Sequence, residues 1–178
     1  MDQKKLVDAQ FGVAAMDYLQ SPTHAQGADL QRLRALADGQ RDWRILQPEG
    51  RLVVIDVIAP ETPLLDTLLQ SIEVLRDASH VRDYRYSEWE AMLILAGFII
   101  SDQQAWKLPL CFESWIGRMR TPELRVAAIR SLCAAAATEV RDYFAIQPNN
   151  DCAIDAAWIE AVPACLTRSV GGQETTIF

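Results

Sequence analysis

The sequence predicts an α/β fold in which helices are interspersed with a few strands. Residues 51–58, with the sequence RLVVIDVI, are the clearest strand because β-branched side chains follow one another almost without interruption. Such a run is typical of a strand that is buried on both faces of a parallel sheet. Residues 98–110 and 152–162 are predicted to be two further strands. Three strands are few for a chain of 178 residues.

The segments before the first strand are predicted to be helical. Residues 1–20 carry a mildly amphipathic pattern, and residues 28–37 repeat leucines and alanines at helical spacing. A short helix that Pro48 ends is expected directly before the first strand.

The helices after the first strand have clearer signals. Residues 64–77 place five apolar side chains on one helical stripe, namely Leu65, Leu68, Leu69, Ile72 and Leu75. Ser87 with Glu90 matches a capping box and predicts the start of another helix, which Gly97 ends. Thr121, followed by proline, is predicted to be the N-cap of a helix that runs to about residue 137.

Composition limits the classes of function. Half of the residues are hydrophobic, the net charge is −7 and the isoelectric point is near 4.8. An acidic surface repels phosphate backbones, so no nucleic-acid partner is expected. No apolar run approaches the roughly 20 residues that a membrane span requires, and the first residues do not resemble a signal peptide. A cytoplasmic protein is therefore expected.

Several common catalytic and binding motifs are absent from the sequence. The four cysteines lie too far apart for a Cys-x-x-Cys pair, and in the cytoplasm they are expected to be reduced. The sequence contains no Gly-x-Ser-x-Gly elbow, no phosphate-binding loop of the Walker type and no Gly-x-Gly-x-x-Gly fingerprint.

Only two histidines are present, and each allows more than one interpretation. His80 lies in a polar segment between Asp77 and Asp83. These three side chains could bind a metal ion, His80 could act as a general base, or it could only hold the loop in place. His24, in a polar and aromatic segment with Tyr18, could belong to a flap over a ligand or to a plain turn that enters a helix.

Residues 44–56, with the sequence RILQPEGRLVVID, carry a family resemblance. They resemble the R-x-L-K-P-G-G-x-L-x-x-x-D segment of class I S-adenosylmethionine-dependent methyltransferases of the ubiquinone/menaquinone-biosynthesis-like group, also called methyltransferase type 11. Gln47 and Glu49 replace the usual lysine and glycine. Residues 11–36, 73–98 and 108–132 resemble one bacterial subfamily of the same enzymes.

The resemblance also indicates that a segment is missing. In the family, the helix that here ends near Gly39 is followed by a strand with the cofactor motif D-x-G-C-G-x-G and by three further strands. In this chain Gln40 is followed directly by Arg41, which already belongs to the approach to the fifth strand. Three strand–helix units, on the order of 90 residues at roughly 30 residues per unit, are absent. A longer form of the protein could contain them.

The resemblance implies a remnant of a Rossmann-like sheet that keeps the family strands 5, 7 and 6, with flanking helices. It implies residues 1–40 as an N-terminal flap with the first helices, 41–163 as the C-terminal half of the domain, and 164–178 as a disordered tail. His80, Arg82 and Tyr84 are the implied catalytic residues, and Tyr18 and His24 would contact S-adenosylmethionine.

Two functions remain open after the sequence is considered. By resemblance, the chain would transfer a methyl group from S-adenosylmethionine to a small organic acceptor, with activity impaired because the cofactor motif is absent. Alternatively, it is a non-catalytic interaction protein or a deletion variant. In that case residues 51–58 would present an open strand edge through which the chain forms homo-oligomers.

Overall fold

A three-stranded sheet lies at the centre of the part of the chain that the structure describes. The structure is a computed structural model that describes residues 2–9, 31–32 and 50–164. The strands are β1 (Leu52–Val57), β2 (Phe98–Leu110) and β3 (Cys152–Pro163). Their order in the sheet is β1-β3-β2, and β3 runs antiparallel to both neighbours. The predicted neighbourhood of family strands 5, 7 and 6 is therefore confirmed.

Five helices surround the sheet within residues 50–164. They are α1 (Pro63–Arg76), α2 (Tyr86–Leu95), α3 (Phe112–Arg118), α4 (Glu123–Ala135) and α5 (Thr138–Tyr143). Residues 3–9 are also helical. The apolar stripe predicted for α1 is confirmed, because Leu65, Leu69 and Ile72 are buried in the core. The short helix α5 was not predicted.

Both predicted N-caps are wrong by one or two positions. Helix α2 follows Arg85, whose backbone N–H donates to the Glu88 carboxylate at 2.8 Å. The hydroxyl of Ser87 instead donates to Glu61 at 2.9 Å. The N-cap of α4 is Pro122, and the preceding Thr121 hydroxyl donates to the carbonyl of Arg76 at 3.0 Å. Both hydroxyls bind other segments of the chain, which the local sequence cannot indicate.

The prediction that the first strand is buried on both faces is also wrong. Most residues of β1 are partly exposed, whereas residues 156–161 of β3 are buried without interruption. The reason is the position of each strand, because β3 has a partner on both sides and β1, among the described residues, pairs only with β3.

The core has two layers, one on each face of the sheet. On one face, Ile154 of β3 packs with side chains of α1, α3 and α4, including Leu69, Trp115 and Ile129. On the other face, Ile159 and its neighbours pack against Leu93 of α2. The segment that connects β1 to the parallel strand β2 contains both α1 and α2. Because α1 lies on one face of the sheet and α2 on the other, each face has its own core layer.

A buried acid joins the N-terminal part of the chain to the sheet. The Glu160 carboxylate accepts hydrogen bonds from the Trp158 indole at 2.8 Å, from Arg32 at 2.8 Å and from Arg51 at 2.5 Å. The Arg32 guanidinium also lies over the Trp158 ring, 4.3 Å from its centroid. A buried carboxylate needs such partners, because burial without them would be costly.

Some predictions concern residues outside the described part of the chain. These are most of the N-terminal flap, most of the predicted helix over residues 28–37, the Gln40–Arg41 junction, the short helix before β1 and the tail from residue 165 onwards. Within the described residues, no helix combines the length and the apolar character that crossing a membrane requires.

We expect Leu69→Ala to lower the free energy of unfolding by about 2–5 kcal/mol, because the side chain is fully buried between the sheet and α1. Urea denaturation followed by circular dichroism measures this change. The matched control is Leu124→Ala on α4, where the leucine is 83% exposed and the change should stay within about 0.5 kcal/mol. Equal losses for the two variants would contradict the assigned core.

Candidate functional site

The loop of residues 77–85, called the return loop below, brings the predicted catalytic residues to one end of the sheet. After α1, the chain returns to the end of β1, where the backbone N–H of Ala59 donates to the carbonyl of Tyr84 at 3.0 Å. Ala59 and Arg85 form a short parallel bridge at the same place. His80, Arg82 and Tyr84 therefore all lie in a loop that is fixed at the C-terminal end of β1.

The start of the return loop is held by Asp77. Its carboxylate accepts hydrogen bonds from the backbone N–H and the hydroxyl of Ser79, at 2.8 and 2.7 Å. The backbone N–H of His80 donates to the carbonyl of Asp77 at 3.1 Å. The carboxylate of Asp77 therefore closes this turn through Ser79. Among the described residues, no group of three or more metal-ligating side chains could hold a metal ion.

Gln70 of α1 links the helix to the middle of the return loop. Its side-chain nitrogen donates to Asp66 at 3.0 Å and to the carbonyl of Asp83 at 2.8 Å. Its side-chain oxygen accepts from the backbone N–H of Asp83 at 3.1 Å and lies 3.1 Å from Nε2 of His80. One amide group thus joins Asp66 on the same helix to Asp83 and His80 in the return loop.

Asp83 is the most unusual acid of this region. Its side chain is 13% exposed, and its Oδ2 atom lies 3.8 Å from Nε2 of His80. Among the described residues this oxygen has no hydrogen-bond partner. Burial, together with the nearby carboxylates of Glu73 and Asp56, raises the pKa of Asp83 to about 8. A carboxyl that changes its charge near neutral pH therefore faces the imidazole.

Asp66 fixes the second half of the return loop. Its carboxylate is buried and forms ion pairs with Arg85 at 2.7 Å and with Arg82 at 3.2 Å. Burial would raise the pKa of Asp66, but the hydrogen bonds from Arg85, Gln70 and Arg82 outweigh burial and lower it. Arg82 also pairs with Glu88 at 3.1 Å. Asp66 of α1 thus holds both arginines, and Glu88 of α2 also holds Arg82.

Tyr84 forms an aromatic wall beside these charges. Its ring contacts Trp89 of α2 edge to face, with the centroids 5.7 Å apart. Tyr84 is partly exposed to solvent. Two buried polar atoms nearby, Nε of Arg85 and Nε1 of Trp89, have no hydrogen-bond partner among the described residues. Unpartnered donors beside a partly open ring can serve a polar ligand.

The structure thus brings together three of the five residues predicted for the site. Tyr18 and His24 lie outside the described residues. Sequence reasoning assigned no role to Gln70 or Asp66, and it considered Asp83 only as a metal ligand. The available signal was weak. Asp66 and Gln70 are polar residues four positions apart on a helix, which ordinarily indicates a solvated face.

Comparisons with known proteins point to one group. The chain is 41% identical over 154 residues to the uncharacterised Escherichia coli protein YafE, covering 86% of this chain and 70% of YafE. It is 40% identical over 108 residues to the uncharacterised methyltransferase YcgJ of Bacillus subtilis, covering 61% of this chain and 43% of YcgJ. No family model matches the sequence.

Solved structures show the same similarity. The crystal structure of Bacillus subtilis YcgJ superposes with a TM-score of 0.63 at 35% identity, covering 67% of this chain and 53% of that one. A candidate methyltransferase from Bacillus halodurans C-125 superposes with a TM-score of 0.61 at 25% identity, covering 67% and 58%. The chain therefore spans little more than half the length of these structures.

We expect the stability of the protein to fall as pH rises from about 4 to about 8, in part because of Asp83. In this interval the folded state holds a proton on Asp83 that the unfolded state releases near its ordinary pKa of 3.8. One such proton contributes a slope of at most about 1.4 kcal/mol per pH unit. Asp83→Asn should remove this contribution and flatten the profile of the free energy of unfolding, measured by urea denaturation at several pH values.

The control for this experiment is Asp142→Asn, which changes an exposed aspartate of α5. Its profile should follow that of the unsubstituted protein. If Asp83→Asn also followed it, the buried carboxyl would not hold its proton in the folded state.

Proposed function

Because the chain belongs to the class I S-adenosylmethionine-dependent methyltransferase family, we propose that it carries the acceptor side of such an enzyme. The reaction of the family would move a methyl group to a small organic acceptor. The observation that supports this role is the return loop at the C-terminal end of β1, where ligands bind in open α/β sheets. The acidic composition and the free thiols of Cys111, Cys133 and Cys152 support a cytoplasmic setting without a nucleic-acid partner.

His80 is the proposed proton acceptor of the site. An acceptor atom that gains a methyl group loses a proton, and an imidazole suits this task near neutral pH. The positive charge that His80 gains would lie 3.8 Å from Asp83.

Arg82 and Tyr84 are proposed to position the acceptor. Two acids hold the Arg82 guanidinium, so it presents a fixed positive charge within the return loop. Tyr84 offers a rigid ring whose orientation Trp89 fixes. A planar or anionic acceptor would suit this pair of side chains.

The described residues do not fit the cofactor. S-adenosylmethionine needs a glycine-rich turn between a strand and the N-terminus of a helix. The glycines of residues 50–164 lie elsewhere: Gly50 precedes β1, Gly97 connects α2 to β2, and Gly117 lies inside α3. Tyr18 and His24 remain proposed cofactor contacts of the flap. We propose that methyl transfer is impaired in this chain for want of the motif.

Isothermal titration calorimetry with S-adenosylmethionine tests this proposal directly. We expect no saturable binding at micromolar concentrations, since neither the glycine-rich turn nor the acid for the ribose is present in the sequence. Micromolar binding would overturn the impairment. In that case Tyr18→Phe and His24→Gln would show whether the flap binds the cofactor, with Tyr143→Phe on α5 as a matched control.

The second candidate is a non-catalytic protein that assembles through the edge of β1. One observation favours it, namely that β1 pairs only with β3 among the described residues. The backbone N–H of Ile58 donates to Asp155, and hydrogen-bonded pairs alternate along an antiparallel ladder. The N–H groups of Val53, Ile55 and Val57 therefore point away from β3. Within the described residues no strand pairs with them, and the N–H of Val57 donates to the side chain of Asp56.

Under this second candidate, Val53→Pro should convert an oligomer into a monomer. Proline removes the outward N–H and is tolerated at an edge whose N–H groups face away from the sheet. Size-exclusion chromatography with light scattering measures the mass. Val53→Thr keeps both the branched side chain and the N–H, so it should retain the assembly. A monomeric unsubstituted protein at high concentration would rule out the edge interface.

A further inference from the structure

We propose that Gln70 is a positioning residue that fixes neutral His80 as the tautomer with hydrogen on Nε2, so that Nδ1 is the nitrogen that accepts a proton. The inference rests on the proposed role of His80 as the base of the site. It goes further by naming the reacting atom and the residue that selects it.

The backbone of Asp83 determines which way the Gln70 amide points. The carbonyl of Asp83 can only accept, and the side-chain nitrogen of Gln70 lies 2.8 Å from it. The backbone N–H of Asp83 can only donate, and the side-chain oxygen of Gln70 lies 3.1 Å from it. In a reversed amide, the side-chain nitrogen of Gln70 would face the N–H of Asp83, and the side-chain oxygen would face the carbonyl of Asp83. Both contacts would be unfavourable, so the orientation of the amide is fixed.

The fixed orientation of the Gln70 amide in turn determines which ring nitrogen of His80 carries the hydrogen. The side-chain oxygen of Gln70 is an acceptor and lies 3.1 Å from Nε2 of His80, so Nε2 must be the donor. Oδ2 of Asp83 lies 3.8 Å from the same nitrogen and has no hydrogen-bond partner among the described residues. The amide oxygen of Gln70 therefore selects the tautomer with hydrogen on Nε2.

The other ring nitrogen of His80, Nδ1, can accept the proton from the acceptor. Nδ1 of His80 makes no hydrogen bond within the part of the chain that the structure describes. In a neutral ring with hydrogen on Nε2, Nδ1 holds the lone pair. The bond between the acceptor atom and its hydrogen would break, leaving its electron pair on the acceptor, and the proton would form an N–H bond at Nδ1. The proton would then pass to water.

The return loop gives this arrangement its rigidity. The turn closed by Asp77 places the backbone of His80, while Gln70 holds the ring and the backbone of Asp83 from the side of α1. Asp66 accepts the second hydrogen of the Gln70 amide at 3.0 Å. The amide therefore uses both of its donor hydrogens and its oxygen, so it cannot rotate without losing several hydrogen bonds.

Nitrogen NMR spectroscopy of the full chain tests the tautomer without any cofactor or acceptor. Long-range ¹H–¹⁵N spectra separate the two tautomers of a neutral ring. The chain has only two histidines, His24 and His80, so one spectrum of His80→Gln assigns both. We expect the His80 ring to show the pattern of hydrogen on Nε2, with an Nε2 proton that is protected from exchange. A ring with hydrogen on Nδ1 would overturn the inference.

Substitution of Gln70 tests the assigned cause. Gln70→Leu should abolish the protected proton signal and shift both ring nitrogens toward the averaged values of free histidine. Gln103→Leu, at an exposed position of β2, should leave the spectrum unchanged. Gln70→Glu keeps an acceptor opposite Nε2 and should retain the tautomer, which provides a second variant if the leucine protein does not fold. An unchanged spectrum for a folded Gln70→Leu protein would remove Gln70 from this role.

The outcomes for the two proposals are distinguishable. The nitrogen spectra of the His80 ring do not depend on whether the protein binds S-adenosylmethionine or transfers a methyl group. The proposed function could therefore fail while the tautomer result stands. A ring with hydrogen on Nδ1 would instead contradict this inference alone.

Discussion

The pairing of β3 with both other strands is the constraint on which the rest of the structure depends. β3 runs antiparallel between β1 and β2, so these two strands must be parallel to each other and separated by one strand width. The chain between them therefore has to cross the sheet and return. This crossover places α1 and α2 on opposite faces, and it sends the return loop across the C-terminal end of β1.

The polar side chains of α1 hold the return loop in one conformation and so define the candidate site. Leu69 and its apolar neighbours attach the helix to the sheet, while Asp66 and Gln70 meet the return loop. Asp66 and Gln70 thus find their partners on a segment that the crossover delivers. Asp83 differs, because one oxygen of its carboxyl has no hydrogen-bond partner among the described residues and lies beside His80. Buried acids of this kind are concentrated at functional sites, because stability alone would not favour them.

Much of the fold is readable from the chain because it depends on local pattern. The three strands and the apolar stripe of α1 follow from residue type and spacing. The caps at Ser87 and Thr121 were misassigned because each hydroxyl has a partner far along the chain, Glu61 in one case and Arg76 in the other. The exposure of β1 was misjudged for a similar reason, since burial depends on which strands lie beside it.

For the candidate site, too, some features follow from short segments of sequence and others only from the tertiary structure. The sequence by itself determined the family resemblance, the absence of the cofactor motif and the choice of His80, Arg82 and Tyr84, because all of these are properties of short segments. Only the tertiary structure decided that Gln70, ten residues before His80, selects the hydrogen on its ring, and that Asp83 is buried beside it. Hydrogen-bond direction and desolvation arise from groups that meet in space, and the order of residues along a chain does not specify them.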